Sequence, residues 1–590
     1  MYTKILSLFN FNEKIIIFIF IFFLSINAFL ELIAISSLIP FTSILLDQDI
    51  NTEFGLLKYF DYKEYFNHDN ILVQMGLIVL LIFFFKNIYS LTLNYLTQKF
   101  IYKKYRLLAS KIFEKYLYIS YENHLSLNSS VIQRNINTEV FWLVANILIP
   151  MLMIITEVIV VLVLISSILI INPYETFIII APLLFLFFIF SKFLNRKVKK
   201  LGKISQNYFA EMIKHVNQSL SGIKVTKVNQ KEDYFLKNFD KSILIYSNNA
   251  SILKIVAQWP RYFSEILIVT LIVIIPIYLT NFDSNFSEKL PFVAFYAMAG
   301  IRLMPSINRI MSSYTNIKYY SASLDVVHKE LYKNYESETI KQNIKKYNFK
   351  NNILFEKVEF IYQSSKNITL KEVSFNIKKK QTTAFIGLSG SGKTTIVDLI
   401  CNLLKPTKGK ILIDNHDINT IGKSWQKSIG YVTQNTFLID DTIKNNIIFG
   451  SQDKFDKILF EKAIQFSNLE NYLITLKNGV ETMVGENGVK ISGGEKQRIS
   501  IARAIYSDPD IIIFDESTSS LDDVNQSEIL KYIEKMSKFK TVIIIAHKKE
   551  TIQMCDQIIH VNKGNIQNIF NKNDIAKSNF NFNEILRELK

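Results

Sequence analysis

The chain contains the glycine-rich loop Gly387-Leu388-Ser389-Gly390-Ser391-Gly392-Lys393-Thr394, which fits the pattern G-x-x-x-x-G-K-[ST]. The apolar run 383–386 before the loop predicts a buried strand, and the run 395–400 after it predicts the first turns of a helix. Glycines in such a loop let backbone N–H groups point at phosphate oxygens at the N-terminus of the helix. The sequence therefore predicts a nucleotide-binding domain with the strand–loop–helix arrangement of P-loop proteins.

Four residues in two motifs carry the chemistry that such a domain needs. Lys393 is predicted to reach the outer phosphates, and the Thr394 hydroxyl is predicted to ligate Mg²⁺. Farther along the chain, the apolar run 511–514 ends in Asp515 and Glu516. Asp515 suits the coordination shell of Mg²⁺, and Glu516 suits polarisation of the attacking water. Together these residues predict hydrolysis of a Mg²⁺-bound nucleoside triphosphate.

A second anion-binding helix start lies between these two motifs. The run Ser492-Gly493-Gly494-Glu495 precedes the helical pattern of residues 496–503. Backbone amides at the N-terminus of a helix bind phosphate, so this run predicts a second phosphate site. Because one chain has two separate sites of this kind, we expect ATP to be clamped between two copies of the domain.

The N-terminal half has the composition of a membrane protein. A chain of 590 residues is too long for one domain, and long apolar runs dominate it up to about residue 320. A membrane-spanning helix needs about 20 apolar residues. Six stretches qualify, at about 15–40, 71–95, 142–171, 174–194, 262–280 and 290–312. We therefore expect a transmembrane domain over 1–325, a linker over 326–350 and a nucleotide-binding domain over 351–590.

The net charge of +16 is explained by membrane topology better than by nucleic acid binding. Lys and Arg residues gather in the stretches 99–134 and 196–227, whereas the alternate loops are shorter and acidic or neutral. This asymmetry predicts that both termini and the two long basic loops are cytoplasmic. The two cysteines, Cys401 and Cys555, have neither the number nor the spacing of a metal site or disulfide framework.

These ordered motifs resemble those of the ATP-binding cassette (ABC) exporters, in which a six-span domain is fused to one nucleotide-binding domain. The resemblance covers essentially the whole chain. It implies an all-α six-span transmembrane domain fused to an α/β P-loop ABC ATPase domain, with ATP and Mg²⁺ as cofactors. It also implies a homodimer in the bacterial cytoplasmic membrane, with short coupling helices near 118–129 and 222–231.

Position by position, the resemblance assigns further roles. Tyr362 is similar to the aromatic residue that stacks on adenine, and Gln434 is similar to the glutamine that touches Mg²⁺. His547 is similar to the histidine that bonds the γ-phosphate, and Glu486 to the acidic residue that contacts the coupling loops. The resemblance implies catalytic roles for Glu516 and His547, metal ligation by Thr394, Gln434 and Asp515, and nucleotide contacts by Tyr362, Gly387, Ser389, Gly390, Ser391, Gly392, Lys393, Thr394, Thr395, Gln434, Ser492, Gly493, Gly494, Asp515 and Asp522.

Departures from the family pattern are mild. Ile491 and Glu495 replace the ends of the usual Leu-Ser-Gly-Gly-Gln signature. Ile is apolar like Leu, and a Glu at the start of a helix is favourable to the helix dipole. No residue that hydrolysis requires is missing, so we expect an active ATPase.

The transported substrate is less constrained by the sequence. The stretch 298–310 resembles the last span of flippases for polyprenyl-pyrophosphate-linked oligosaccharides. Arg302 lies in the middle of that span, and a guanidinium can bind a pyrophosphate bidentately. Glu31, in the first span, is the second candidate substrate residue. The alternative is that Arg302 pairs with Glu31 or with a structural carbonyl.

The resemblance implies ATP-driven flipping or export of an amphipathic substrate, foremost a polyprenyl-pyrophosphate-linked oligosaccharide, across the cytoplasmic membrane. The implied partners are a second copy of the chain, membrane lipids and the lipid-linked substrate, and nucleic acid is not expected. Two alternatives remain. One is a multidrug, lipid or peptide ABC exporter, and the other is a channel-like or regulatory ABC protein that ATP gates.

Overall fold

The computed structural model describes residues 1–45, 71–171, 173–282, 286–334, 344–365, 367–451, 455–515 and 523–572. The chain divides into two compact units. The first comprises residues 1–117 and 127–334, and the second comprises residues 118–126 and 335–590. The short segment 118–126 therefore groups with the second unit, although it follows an apolar run of the N-terminal half.

The first unit is helical in all its described secondary structure. Its helices are α1 Tyr2–Ser7, α2 Phe11–Ser36, α3 Leu38–Leu45, α4 Ile71–Tyr118, α6 Ser129–Arg134, α7 Val140–Leu143, α8 Ile149–Ile171, α9 Pro173–Ser221, α10 Ile223–Val228, α11 Glu232–Phe282, α12 Phe286–Tyr319 and α13 Ser321–Tyr332, with π-helical turns at Asn135–Glu139 and Val144–Leu148. The short helix α5, Tyr121–Leu125, lies in the segment that groups with the second unit.

Helix α4 continues well beyond the length that a membrane requires. It has 48 residues, which at about 1.5 Å per residue give a length of about 70 Å. The hydrocarbon core of a bilayer is only about 30 Å thick. The apolar first half of α4 therefore suits the bilayer, and its basic second half forms an extension into water.

Three stretches of the described residues are long and apolar enough to cross a membrane. They are Phe11–Thr42, Ile71–Tyr118 and Ser129–Ser167, and they contain or overlap the first three predicted spans. The other three predicted spans lie within α9, α11 and α12, where many side chains are outside the described part of the structure. Those three spans stay predictions.

Apolar side chains pack α2, α8 and α12 together in the first unit. The cluster joins Ala28 and Ile35 of α2 to Val160 and Leu164 of α8 and to Leu303 of α12. These residues are nearly inaccessible to solvent. Because α2 and α12 meet here, the two predicted substrate residues lie on helices that contact each other.

The second unit is an α/β structure with two sheets. A four-stranded antiparallel sheet has the order β2-β1-β4-β5, and a six-stranded sheet has the order β10-β9-β3-β8-β7-β6. The strands are β1 Asn352–Phe360, β2 Leu370–Lys378, β3 Thr382–Ile386, β4 Lys408–Ile413, β5 His416–Asp417, β6 Ile429–Val432, β7 Ile511–Asp515, β8 Thr541–Ile545, β9 Gln557–Asn562 and β10 Asn565–Asn571. The helices are α14 Lys393–Ile400, α15 Ile418–Gln426, α16 Ile443–Ile448, α17 Lys457–Phe466, α18 Glu470–Thr475, α19 Gly493–Tyr506, α20 Asp523–Ser537 and α21 Lys549–Gln553, with 3-10 turns at Gly479–Glu481 and Glu486–Gly488.

The order of the central strands places the candidate site. Strands β3, β8 and β7 are neighbours, run parallel and are buried along their whole length. Fully buried parallel strands are typical of sheets that are covered on both faces. Since parallel strands end at the same edge, the C-terminal ends of β3, β8 and β7 lie side by side. The glycine-rich loop follows β3, His547 follows β8, and Asp515 is the last residue of β7.

Candidate active site

Glycines shape the loop between β3 and α14. Gly387 has a φ angle of 151°, and a Cβ atom there would lie 2.1 Å from the carbonyl oxygen of Val561. Gly392, the N-cap of α14, is in the left-handed region with φ at 110°. A residue with a side chain would be strained at both positions. The backbone path around the start of α14 therefore depends on glycine, as the loop pattern predicted.

Side chains of the loop fit an anionic ligand. The Ser391 hydroxyl is buried at 4 % exposure and has no hydrogen-bond partner among the described residues. A buried hydroxyl without a partner is rare in native structures and indicates a missing ligand or water. Nζ of Lys393 donates hydrogen bonds to the carbonyl oxygens of Gly387, at 2.8 Å, and Leu388, at 2.9 Å. The loop thus holds an ammonium and a free hydroxyl donor where phosphate oxygens are expected.

The predicted metal ligands also fit Mg²⁺ that is bound together with a nucleotide. Asp515 ends β7, and its Oδ2 accepts a hydrogen bond of 2.8 Å from the Tyr431 hydroxyl. Thr394 and Gln434 are exposed. Within the described ranges, no three His, Cys, Asp or Glu side chains form a cluster that could hold a metal alone. Mg²⁺ usually binds one or two carboxylates together with waters and substrate phosphates, and Asp515 is a carboxylate that could serve in this way.

Asp398 is a residue of the site that the sequence analysis missed. It lies on α14 one turn after Thr394, and only 7 % of it is exposed. Burial, with the negative charge of Asp515 as a second cause, raises the pKa of Asp398 to about 7. Perturbed carboxyl groups in a cleft are candidates for functional roles. The sequence signal was an acidic residue on the face of α14 that packs into the domain.

Tyr362 occupies a half-buried position beside α14. Its hydroxyl forms a hydrogen bond of 3.1 Å with Oγ1 of Thr395, and its ring packs edge-on against Phe360 at a centroid distance of 4.8 Å. Burial raises the pKa of the Tyr362 hydroxyl. Its position next to the phosphate loop is compatible with the predicted adenine contact, which stays a prediction.

The segment 118–126 supports the loop that carries Tyr362. Oε1 of Glu122 accepts a hydrogen bond of 2.8 Å from the backbone N–H of Gln363. The ring of Tyr121 packs against the apolar cluster to which Tyr362 also belongs. Burial raises the pKa of Tyr121, and the negative charge of Asp398 contributes. The segment therefore extends the candidate site, which the sequence analysis placed in residues after 351 alone.

The second predicted phosphate site lies at the open N-terminus of α19. Ser492 is the N-cap, and its hydroxyl accepts a hydrogen bond from the backbone N–H of Glu495. Ser492 and Gly493 are exposed, and a Cβ atom at Gly493 would meet nothing within 4 Å. Helix α19 packs against α16, α17 and β6 rather than following the phosphate loop. The two predicted phosphate sites thus belong to separate elements of one unit.

Arg503 is a second residue that sequence reasoning missed. Its guanidinium donates to the carbonyl oxygens of Phe437 and Asn446, both at 2.8 Å, and to Oδ1 of Asn446 at 3.0 Å. It also lies 4.4 Å from the ring centroid of Phe449. Burial lowers the pKa of Arg503 to about 10. The residue ties α19, which begins at the second phosphate site, to the chain that follows Gln434.

Four further predicted site residues are either outside the described residues or exposed at the surface. Glu516 and Asp522 lie outside the described residues. His547 is exposed two positions after β8, and Glu486 is exposed in a 3-10 turn. Their roles stay predictions.

The two predicted substrate residues pair with each other in the first unit. The Arg302 guanidinium binds both carboxylate oxygens of Glu31, with 2.8 Å between Nη2 and Oε2, and Nη1 donates to the Ser306 hydroxyl at 2.8 Å. Nζ of Lys86 lies 3.4 Å from Oε1 of Glu31. The pairing of Arg302 with Glu31 is the structural alternative that the sequence left open.

Two further charged residues join this group. Oε2 of Glu157 lies 3.7 Å from Nη1 of Arg302, and Oε1 of Glu157 lies 2.8 Å from Nε of Arg309. The sequence signal for Glu157 was an acidic residue inside the apolar run 142–171, because such residues usually have a partner or face a cavity. We call Glu31, Lys86, Glu157, Arg302 and Arg309 the charged cluster.

Comparisons with known proteins agree with both units. Residues 15–298 match the family described as ABC transporter transmembrane region, and residues 370–519 match the family described as ABC transporter. A bacterial Atm1-family ABC exporter, solved with ATP bound, superposes with a TM-score of 0.76 over 95 % of this chain and 97 % of that chain. Its sequence identity of 20 % makes this a similarity of fold.

Alignments with curated relatives cover about two thirds of the chain. The ATP-dependent lipid A-core flippase of Wigglesworthia glossinidia brevipalpis is 31 % identical over 406 residues, which are 67 % of this chain and 68 % of the relative. The protein of that name from Vibrio parahaemolyticus is 30 % identical over 65 % of this chain and 66 % of the relative. A Bacillus subtilis protein, named as a proposed multidrug export ATP-binding/permease protein, is 30 % identical over 64 % and 65 %.

The alignments with the first of these flippases span from 34 % to 66 % of the relatives' own length. Three findings point to one assignment. They are the two family matches, the flippase alignment that covers 68 % of its relative, and the α/β unit that follows the helical unit. The chain belongs to the ABC transporter family and joins a transmembrane region to an ATP-binding domain.

Proposed function

We propose that this protein hydrolyses ATP as a homodimer and uses the turnover to move an amphipathic substrate across the bacterial cytoplasmic membrane. The observation that carries the proposal is the glycine-shaped loop in which Lys393 and the Ser391 hydroxyl converge, in a chain that also has membrane-crossing helices. Relatives named as lipid A-core flippases and as a proposed multidrug exporter support transport as the activity. Both termini are proposed to be cytoplasmic, because the long basic stretches favour that side.

Different residues of the second unit are proposed to bind phosphate, to hold Mg²⁺ and to activate the attacking water. Mg²⁺-bound ATP supplies the scissile phosphoanhydride bond and a metal charge that offsets the developing negative charge. Lys393 and Ser391 are proposed to bind and orient phosphate oxygens, and Asp515 is proposed to hold Mg²⁺ with Thr394. The hydrogen bonds of Lys393 within the loop and of Tyr431 to Asp515 support these roles. Gln434 is proposed as a further metal ligand. Glu516 and His547 are proposed to position the attacking water and to accept its proton.

The exposed start of α19 supports a homodimer. Its N-terminal amides and the open space at Gly493 leave room for phosphate oxygens from outside this domain. A second copy of the chain would present its own phosphate-loop nucleotide there, and Asp522 is proposed to contact the nucleotide. The short helices α5 and α10, which lie in the stretches predicted for coupling, are proposed to carry motion between the ATPase domains and the spans.

The charged cluster favours an anionic lipid as the substrate. It contains three cationic and two acidic side chains. Glu31, Lys86 and Glu157 lie on helices that are apolar enough to cross a membrane, and Arg302 and Arg309 lie on α12, which is a predicted span. Such groups are costly in a bilayer, where each costs about 2.5–3.5 kcal/mol, so an excess cation needs a functional reason. We propose that the pyrophosphate of a polyprenyl-linked oligosaccharide binds Arg302 and displaces Glu31 from it.

An exporter of drugs or other lipids is the second candidate. It is favoured by the apolar part of a cavity in the first unit, where Leu24, Leu152 and Met153 line the wall beside polar groups. An apolar wall of this kind also suits the hydrocarbon part of a drug.

Transport in proteoliposomes tests the proposed function. The purified protein is expected to flip fluorescent polyprenyl-pyrophosphate-linked oligosaccharide only with Mg²⁺ and ATP. Glu516→Gln is expected to lower turnover by at least about a hundredfold, because general-base catalysis contributes about 10²–10⁴-fold, and to retain ATP in a closed dimer.

Arg302→Ala tests the substrate site in the same assay, with Arg261→Ala, an exposed arginine of α11, as the matched control. Flipping is expected to fall in the first variant and to persist in the second. Retained flipping in Arg302→Ala would remove the proposed role of that residue. ATPase stimulation by drugs and not by the lipid-linked oligosaccharide would favour the second candidate.

A further inference from the structure

A cavity of about 200 Å³ lies within the first unit, among α2, α4, α8 and α12, and its wall combines apolar and polar side chains. Its polar lining includes Asn27, Ser90, Asn94, Gln98, Thr156 and Glu157. Amide and hydroxyl groups from three helices that are apolar enough to cross a membrane therefore face one space. Polar groups at such positions usually face a water-filled or ligand-binding cavity, because they are expensive to place against lipid.

Glu157, in the wall of this cavity, has a buried carboxylate oxygen that accepts no hydrogen bond from the described residues. The residue is only 5 % exposed and lines the cavity. Its Oε1 lies 2.8 Å from Nε of Arg309, which also lines the cavity. Its Oε2 accepts no hydrogen bond from any described residue, and Nη1 of Arg302 is 3.7 Å away. A buried carboxylate oxygen without a donor is costly, so a ligand O–H or N–H that reaches it would be bound favourably.

We propose that this cavity binds a neutral, hydroxyl-rich ring, namely a sugar unit of the transported lipid, and that Oε2 of Glu157 accepts a hydrogen bond from one of its hydroxyls. The charge of the wall favours a neutral ligand, because Glu157 repels an anion and Arg309 repels a cation. Amide and hydroxyl groups both donate and accept hydrogen bonds, as sugar hydroxyls do. One liquid water occupies about 30 Å³, so the cavity volume of about 200 Å³ corresponds to about seven water-sized groups, the scale of one sugar ring.

This inference rests on the proposed function, since it identifies the part of a glycolipid that the cavity would bind. It adds a site adjacent to the Arg302–Glu31 pair, to which the proposed function assigns the pyrophosphate, since Oε2 of Glu157 is 3.7 Å from Nη1 of Arg302. The Asn27 amide oxygen accepts a hydrogen bond of 2.5 Å from the Ser90 hydroxyl. That contact joins α2 to α4 and fixes two of the lining side chains before a ligand binds.

Binding of two probes to the full-length protein in lipid nanodiscs tests the inference. One probe is a tritiated short-chain alkyl glycoside below its micellar concentration, and the other is tritiated sugar-free polyprenyl pyrophosphate. The variants are Glu157→Gln, which keeps the shape of the side chain, and Thr156→Val, which removes a hydroxyl from the wall. Thr92→Val is the matched control, because the Thr92 hydroxyl donates to Ile88 within α4 and does not line the cavity.

The glycoside is expected to bind the wild type and to lose about tenfold in affinity in each cavity variant, equivalent to about 1.4 kcal/mol. The control is expected to bind both probes like the wild type. The sugar-free lipid is expected to bind Thr156→Val like the wild type and to bind Glu157→Gln at least as tightly, because this variant removes a negative charge 3.7 Å from Arg302. Unchanged glycoside affinity in both cavity variants, absence of glycoside binding to the wild type, or equal losses for both probes would overturn the inference. Failure of the sugar-free lipid to bind the wild type would instead contradict the pyrophosphate substrate of the proposed function, while the glycoside result still decides this inference.

Discussion

Single buried side chains carry much of the chemistry of the candidate active site. Ser391 offers a hydroxyl without a partner in the described part of the chain, and the Lys393 ammonium donates to two loop carbonyls. The loop pattern predicted both, because it fixes the backbone path around an anion. It could not predict Asp398, whose raised pKa depends on burial and on Asp515, a residue from a distant part of the sequence.

Asp398 is expected to make the stability of the ATPase domain depend on pH. Its pKa is raised from 3.8 to about 7 in the folded protein. The folded state therefore binds the proton more tightly, and the free energy of unfolding falls as the pH rises between about 4 and 7. Asp398→Asn removes this loss, because the amide stays neutral. In buffer without nucleotide and Mg²⁺, the variant is expected to have a melting temperature at pH 8 several degrees above that of the wild type.

The matched control is Asp440→Asn, since Asp440 is exposed in the same unit. The informative quantity is the change in melting temperature between pH 5.5 and pH 8 in full-length protein. A change of equal size in the wild type and in Asp398→Asn would contradict the raised pKa.

Helices and strands position the residues of the candidate site, and the sequence predicted some of these elements and not others. The apolar runs before the glycine-rich loop and before Asp515 predicted β3 and β7, which are fully buried. The 48 residues of α4 continue the apolar run 71–95 into the basic stretch 99–134 as one helix. Strand order and the packing of α19 on α16 were not predictable, because they arise from contacts between segments far apart in the sequence.

Arg503 is expected to hold α19 and the chain after Gln434 in one arrangement. Arg503→Lys keeps a positive charge but loses the fork that reaches Phe437 and Asn446 together. The part-buried Asn446 carbonyl oxygen loses its arginine donor, which costs about 1–3 kcal/mol, whereas the exposed Phe437 carbonyl oxygen can bind water instead. We expect a lower melting temperature of the ATPase domain and a higher Mg²⁺ requirement for ATP turnover.

A surface substitution provides the comparison for Arg503. Lys462→Met alters an exposed cation of α17, and its melting temperature and Mg²⁺ dependence are expected to match those of the wild type. An Arg503→Lys variant with an unchanged Mg²⁺ dependence and a lower melting temperature would reduce Arg503 to a purely structural role.

At the scale of the whole molecule, composition predicted the protein class well but did not identify the transported substrate. The change from apolar runs to a mixed soluble sequence predicted a membrane region followed by an ATPase domain, and the family matches confirm that class. The pairing of Arg302 with Glu31 depends on the packing of α2 against α12, which no local pattern specifies. The assignment of segment 118–126 to the second unit likewise follows from tertiary contacts.

A mixing experiment tests whether two copies cooperate. Lys393→Met is expected to bind ATP phosphates poorly, because it removes the ammonium from the loop. If each ATP site needs both chains and turnover needs both sites, co-expressed wild type and variant should show activity that falls as the square of the wild-type fraction. Activity is measured as phosphate release in proteoliposomes. A linear decrease would contradict cooperation, and mixtures with Asp440→Asn should keep full activity.

The length of α4 has a mechanical consequence. A continuous helix of 48 residues transmits a tilt along its axis like a stiff lever, because its backbone hydrogen bonds resist bending. A small angular change near its middle moves both tips in opposite directions, and the displacement grows with distance from the pivot. A rearrangement at the basic tip would therefore be converted into a sideways movement of similar size and opposite direction at the apolar tip.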